Sequence, residues 1–163
     1  MKLLSWTAIA LALICAGAPA TAADDLAITR LAACQDSWLD WQKTAPAALK
    51  TFVDRFNADF RHHGNDAFAI PRKEISVAGL RVLQAYPQSV GMGVGFSLTL
   101  DADFDKARKA FEAMLGKPLV KCEASDGMHS CERDIAAQRT FMLMAADNDA
   151  HQTLAGCYYL YEK

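Results

Sequence analysis

The chain has 163 residues, 17 basic against 19 acidic, and 52% of it is hydrophobic. A net charge of −2 with no basic stripe argues against nucleic acid as a partner and against a polybasic membrane patch. The length suits one domain, large enough to bury about two-thirds of its unfolded surface and to fold without a metal.

Residues 1–22, MKLLSWTAIALALICAGAPATA, read as a secretory signal. Lys2 is the positive start, 3–17 is an uncharged apolar run, and Ala20-Thr21-Ala22 supplies the small residues of a cleavage site. The run is too short and interrupted for a membrane span. Leu13 and Ile14, just before Cys15, do not suit a lipid-attachment site. The expected mature domain is 23–163, with 16 basic residues left after loss of Lys2 and no membrane span. The alanine-rich signal points to the bacterial periplasm, with full secretion as the alternative.

Residues 25–42 read as one helix, with Leu31, Cys34, Trp38 and Trp41 on an apolar face at 3-4-3 spacing. A break follows, where Thr44 is the expected cap and Pro46 opens the next helix. Leu49, Phe52, Val53, Phe56 and Phe60 form the apolar face of that second helix, and Gly64 is its stop. EISVAGLRVLQAY (74–86) has strand composition, with Gly79 as a bulge, and YPQS makes a turn.

The clearest strand is GMGVGFSLTL, 91–100. Met92, Val94, Phe96, Leu98 and Leu100 line one face, whereas Gly91, Gly93, Gly95, Ser97 and Thr99 leave the other nearly bare. A third helix is expected in DADFDKARKAFEAMLGKP, with acidic residues at its start and Gly116 and Pro118 at its end. Then come a hairpin (121–134), a strand near 139–145, an Asp-Asn-Asp turn and a last strand near 153–161.

The mature chain keeps four cysteines, an even number that suits an oxidising compartment. Asp126-Gly127 is a two-residue hairpin signal. Counting outward from it sets Cys122 opposite Cys131, with Cα atoms about 4.5 Å apart, and Lys121 across from Glu132. Eight residues separate these cysteines, which is neither a zinc nor a C-x-x-C spacing. Cys34 and Cys157 then pair and tie the first helix to the last strand. The expected fold is α+β: an antiparallel sheet of about five to six strands, with two N-terminal helices and one inserted helix on one face and two disulfides.

Candidate chemistry is sparse. Asp101, Asp103, Asp105 and Glu112 imitate a calcium loop, but Lys106 stands where that loop needs glycine, and a helix with an acidic first turn explains the same residues. The glycines do not form a dinucleotide fingerprint, because they lie inside a strand. Read structurally, they allow close approach; read functionally, Gly91, Gly93 and Gly95 line a groove for an apolar ligand or peptide. His62 and His63 point about 100° apart on a helix and do not clamp one ion. His129 and His151 have no partner that sequence identifies, and no G-x-S-x-G elbow is present. Tyr158, Tyr159 and Tyr161 would anchor a partner strand if the last strand were an edge. No metal, cofactor or catalytic residue is expected. The leading functional expectation is a small exported binding domain, an inhibitor or envelope accessory protein whose partner is another envelope or secreted protein. A carrier of an apolar ligand or lipid is the first alternative, and a hydrolase assembled only in the fold is the second.

Overall fold

The computed structural model describes residues 24–62, 64, 67–87, 94–149 and 151–159. The signal-like segment, His63, Gly91, Met92, Gly93 and Tyr161 lie outside the described residues.

The N-terminal helix is two helices. The first, α1, runs Asp24–Ala32, and the second, α2, runs Trp38–Thr44. Between them Cys34 takes φ +60°, a left-handed conformation that ordinary residues seldom adopt. The Arg30 carbonyl accepts the Gln35 and Asp36 amides, at 2.8 and 3.1 Å. The Arg30 guanidinium grips the Asp36 carboxylate at 2.6 and 2.9 Å. Ser37 then caps α2, its hydroxyl accepting from the Leu39 and Asp40 amides. This serine is the start signal that a single-helix reading overlooks.

The next helix, α3, spans Pro46–Asp59 with Pro46 in its first turn, as expected. Thr44 is not its cap: that hydroxyl donates to the Asp40 carbonyl, and Ala45 occupies the cap position with no side-chain bond. Nor does α3 run to Gly64. It stops at Asp59, and Phe60–His62 already forms strand β1. Gly64, at φ +58°, lies beyond that strand.

Eight further strands follow: β2 (Ala69–Pro71), β3 (Ser76–Val77), β4 (Leu80–Tyr86), β5 (Val94–Asp101), β6 (Val120–Ser125), β7 (Met128–Ala136), β8 (Arg139–Ala146) and β9 (Gln152–Tyr159). The described residues thus make nine strands rather than five or six. Three of the added strands, β1 to β3, have two or three residues and show no periodicity to read. The sheet is antiparallel, ordered β1-β2-β4-β5-β9-β8-β7-β6, with β3 folded back on β4. Gly79 is not a bulge. With Ala78 it forms the turn between β3 and β4, both at positive φ, and the irregularity of β4 falls at Val82–Gln84.

Helix α4, Phe104–Leu115, is inserted between β5 and β6. Asp103 caps its start by accepting from the Lys106 amide at 2.8 Å, and Gly116 ends it at φ +64°. The described helices all lie on one face of the sheet. Phe111 of α4 meets Phe141, Phe52 and Phe56 of α3 meet Phe96, Trp38 of α2 meets Tyr159, and Cys34 after α1 bonds Cys157. Register places Phe96, Phe141 and Cys157 on that same face. With Leu98, Leu100, Leu143 and Ala155 they form the buried core. Each fully buried large side chain contributes about 1.5–3 kcal/mol.

Both expected disulfides are present. Cys34–Cys157 has a Cα separation of 4.9 Å, and Cys122–Cys131 one of 4.1 Å. Asp126 and Gly127 both take positive φ, as the turn requires. One detail of the hairpin differs from the count. Lys121 sits in a bulge at φ +51°, so Val120, not Lys121, faces Glu132. The Lys121 ammonium reaches Asp134 instead, at 3.2 Å.

Candidate functional site

The glycine-bearing face of β5 is not open. Gly95 is buried, Ser97 is 1% exposed and Thr99 8%. Strand β9 approaches so closely that a Cβ on Gly156 would meet Ser97 Cβ at 2.4 Å and the Phe96 carbonyl at 2.6 Å. Small residues there serve strand-to-strand contact.

The final strand is not an edge either, because β9 lies between β5 and β8. Tyr159 packs inward against Trp38, with ring centroids 6.0 Å apart, while Tyr158 is half-buried on the helix-free face. Burial pushes the Tyr159 hydroxyl up to about 12. The Trp38 backbone and the Ser37 side chain are its polar neighbours, yet among the described residues neither Tyr159 OH nor Trp38 Nε1 has a partner at full hydrogen-bond geometry. The outer strands of the described sheet are β1 and β6. The former has three residues. The latter is exposed throughout, bulged, and carries Lys121 and Glu123, features that discourage strand addition.

Three of the four calcium-like carboxylates have other partners. Asp101 pairs with Arg81 at 2.9 Å, Asp103 caps α4, and Glu112 accepts from Arg108 at 3.0 Å and from the Leu119 amide at 2.8 Å. Burial alone would raise the Glu112 carboxyl, but the Leu119 amide and Arg108 outweigh it and hold the group below its ordinary range.

One histidine does meet a carboxylate. His129 Nε2 sits 2.9 Å from Asp147 Oδ1 beside the Phe104 ring, in a depression of about 410 Å³. Its other lining residues are Asp103, Asp105, Ala145, Ala146 and Asp149, so no hydroxyl, thiol or amine nucleophile faces the imidazole. His62 lies far across the sheet order, on β1. His151 is exposed in the turn just before β9 and does not line the depression, so the described histidines are not brought together.

Two concavities flank α3. On one flank a groove of about 400 Å³ runs between α1, α2 and α3. Ala27 and Ile28 come from α1 and Trp41 from α2. The α3 wall carries Ala47, Ala48, Thr51, Phe52, Arg55, Phe56 and Asp59. These positions recur every three to four residues, so one whole side of the helix faces the groove. On the opposite flank a second groove of about 320 Å³ lies among Trp38, Leu49, Val53, His62 and Pro87. Phe52 and Phe56 line both grooves and form the ridge between them, seated on Phe96 at 6.0 and 6.3 Å. At the end of α3, Phe56 also stacks on Phe60, with centroids 4.4 Å apart.

The apolar stripe with Leu49 and Val53 was marked in the sequence, but Ala27, Ala47, Ala48, Thr51 and Arg55 of the first groove were not. The signal was the row of small residues, Ala47 and Ala48, beside that stripe: small side chains next to a buried ridge leave space unfilled. Such a row also occurs on ordinary solvated helices, so it identifies nothing alone. Among the described residues no helix is long and apolar enough to cross a membrane, and no group of three or more His, Cys, Asp or Glu is placed to hold a metal ion. Comparison with family models, with curated proteins and with solved structures finds no match for this chain.

Proposed function

We propose that this chain is an exported, disulfide-held binding protein that carries a small apolar ligand along α3. The observation that supports this reading is the groove of about 400 Å³ between α1, α2 and α3, a size and lining typical of small-molecule sites. It lies over the inward face of β5, not over its glycine face. Two intramolecular disulfides fit an oxidising compartment such as the periplasm, and they fasten the sheet and α1 while leaving α3 untethered.

The reading is tested by native mass spectrometry of protein extracted gently from its own envelope, followed by displacement of an apolar fluorescent dye. A retained small molecule, and dye binding that Ala48→Trp abolishes, are the expected results. Apo protein that also fails to bind the dye refutes the reading.

A second reading, an interaction domain such as an inhibitor or envelope accessory protein, is favoured by a separate surface. Register places Met142, Met144, Leu154 and Tyr158 together on the helix-free face, all half-buried. They share that face with Gly95, Ser97 and Thr99 of β5, and half-buried apolar side chains clustered on a sheet face mark interaction surfaces. An envelope protein that binds the oxidised domain, is lost in Met142→Glu and is kept in Ala48→Trp would favour this second surface.

A further inference from the structure

We infer that the helix-free face of β8 and β9 docks an amphipathic helix of a partner protein, with the basic flank of that helix over β7 and β6; this rests on the interaction reading above.

An antiparallel sheet with one solvated face alternates apolar and polar residues along its strands. Strand β7 follows that rule around Cys131, which is buried between the polar Ser130 and Glu132. Strand β8 does not. Phe141-Met142-Leu143-Met144-Ala145-Ala146 is one apolar run, and none of its residues is exposed. An unbroken run of this kind suits a strand packed on both faces. Phe141 and Leu143 belong to the core on the helix side. Met142 and Met144 take the other side, where Met144 pairs with Leu154 and Thr140 with Tyr158 of β9. Met128, 40% exposed and paired with Ala146, continues the patch onto β7. Methionine adapts its shape to a partner and is favoured on surfaces that accept apolar helix faces.

Charge sets the flank. Glu132 pairs with Met142, and Glu123 pairs with Ser130, which pairs with Met144, so both carboxylates border the patch. The two cations of the hairpin are turned elsewhere: Lys121 binds Asp134 at 3.2 Å, and Arg133 donates to the Pro118 carbonyl. Among the described residues neither Glu123 nor Glu132 has an ion-pair partner. The opposite border is uncharged, with Ser97 and Thr99 of β5 backed by Tyr86 and Gln84 of β4. A helix is about 10 Å across, the width of two strand spacings, and so reaches from β7 to β9. Laid along β8, it sets apolar side chains on the patch and lysine or arginine over Glu132 and Glu123.

The test is a titration of the oxidised protein with four labelled peptides about 18 residues long, followed by fluorescence anisotropy. Three share one leucine stripe and carry lysine, glutamine or glutamate along one flank. The fourth has the lysine composition scrambled so that no stripe remains. The lysine peptide should bind most tightly, the glutamate peptide most weakly and the scrambled one not at all. Removing both carboxylates, Glu123→Gln with Glu132→Gln, should weaken the lysine peptide about fivefold and leave the glutamine peptide within about twofold. Met142→Glu should abolish binding and Met144→Gln, the milder change, should weaken it, with urea midpoints showing that both variants fold. Ala48→Trp, in the α3 groove, should change nothing. Equal binding of the three striped peptides, or a carboxylate effect shared by all of them, overturns the basic flank. If no peptide binds, the helical partner is overturned, and the interaction reading stands only where an envelope protein still binds in a Met142-dependent way. A dimer, or binding to anionic vesicles, that Met142→Glu removes would give this face another occupant and overturn the assignment.

Discussion

Two helices of similar length lie on the same sheet face and are held in opposite ways. Helix α4 is closed at both ends, by Asp103 and Gly116. Its Ala107 and Phe111 are fully buried, and Glu112 fastens its last turn to Leu119. Helix α3 begins without a side-chain cap, and its one buried residue, Phe56, keeps 6% exposure. Val53 is 44% exposed, and space remains on both flanks. The α2–α3 side also holds two buried polar atoms without a hydrogen bond among the described residues, Trp38 Nε1 and Tyr159 OH. An amphipathic stripe thus reports that a helix docks, not that its dock is full. Incomplete packing costs stability, and here it is concentrated on one side, where a ligand would restore the missing contacts.

The largest expected effects concern the cross-links that frame this difference. Cys34–Cys157 spans a sequence separation of 123 and ties α1, one wall of the groove, to the central strand β9. Cys122–Cys131 spans 9 and lies at the edge of the sheet on the α4 side. In the chain-entropy account these loops are worth about 5 and about 2.5 kcal/mol. Denaturant unfolding of Cys34→Ser should therefore show the greater loss, and only that variant should also lose dye binding at the groove. Equal losses would contradict the long-loop account.

Next in size is the contrast between the two aromatic anchors. Phe111→Ala leaves a hole beneath α4 against Phe141, and the expected cost is about 3–5 kcal/mol. Phe52→Ala removes a half-buried ring that already borders open space, so about 1–2 kcal/mol is expected. Matching losses in urea midpoints, with unchanged slopes, would mean that α3 is packed as tightly as α4.

Much of the tight side was legible in the sequence. Asp-Gly with cysteines at equal distances from it specifies the hairpin by pleat alternation alone, and capping residues mark both ends of α4. The pairing of Cys34 with Cys157 followed once the other two were placed. What escaped was set by tertiary contact. The left-handed turn at Cys34 exists because the thiol must reach β9, and no local signal announces it. Strands β1 to β3 are too short for periodicity. The small residues of β5 looked like a vacancy because the close approach they permit is made by β9, more than fifty residues later. The groove escaped for a related reason: a void is a property of neighbours, and Ala47 or Arg55 reads the same beside one as beside solvent.

The smallest effect tests the polar side of the contrast. Tyr159 is 3% exposed and its hydroxyl has no well-formed hydrogen bond among the described residues, so the native state has already lost that group's hydration. Tyr159→Phe should be neutral or stabilising by up to about 1 kcal/mol at neutral pH, against the usual loss when a core residue is changed. The pH dependence has a definite sign. Below the ordinary value of 10.0 both states keep the proton and the hydroxyl adds no slope. Between that value and about 12 the unfolded chain ionises while the buried phenol stays neutral, so stability falls as pH rises. The Phe variant should lack that share of the alkaline decline in rapid unfolding measurements, while Tyr158→Phe, on the half-buried face, should keep it. A loss above about 1 kcal/mol in Tyr159→Phe would mean that the hydroxyl is bonded after all. The α2 side would then be as well satisfied as the α4 side, and the asymmetry would reduce to the empty flanks of α3.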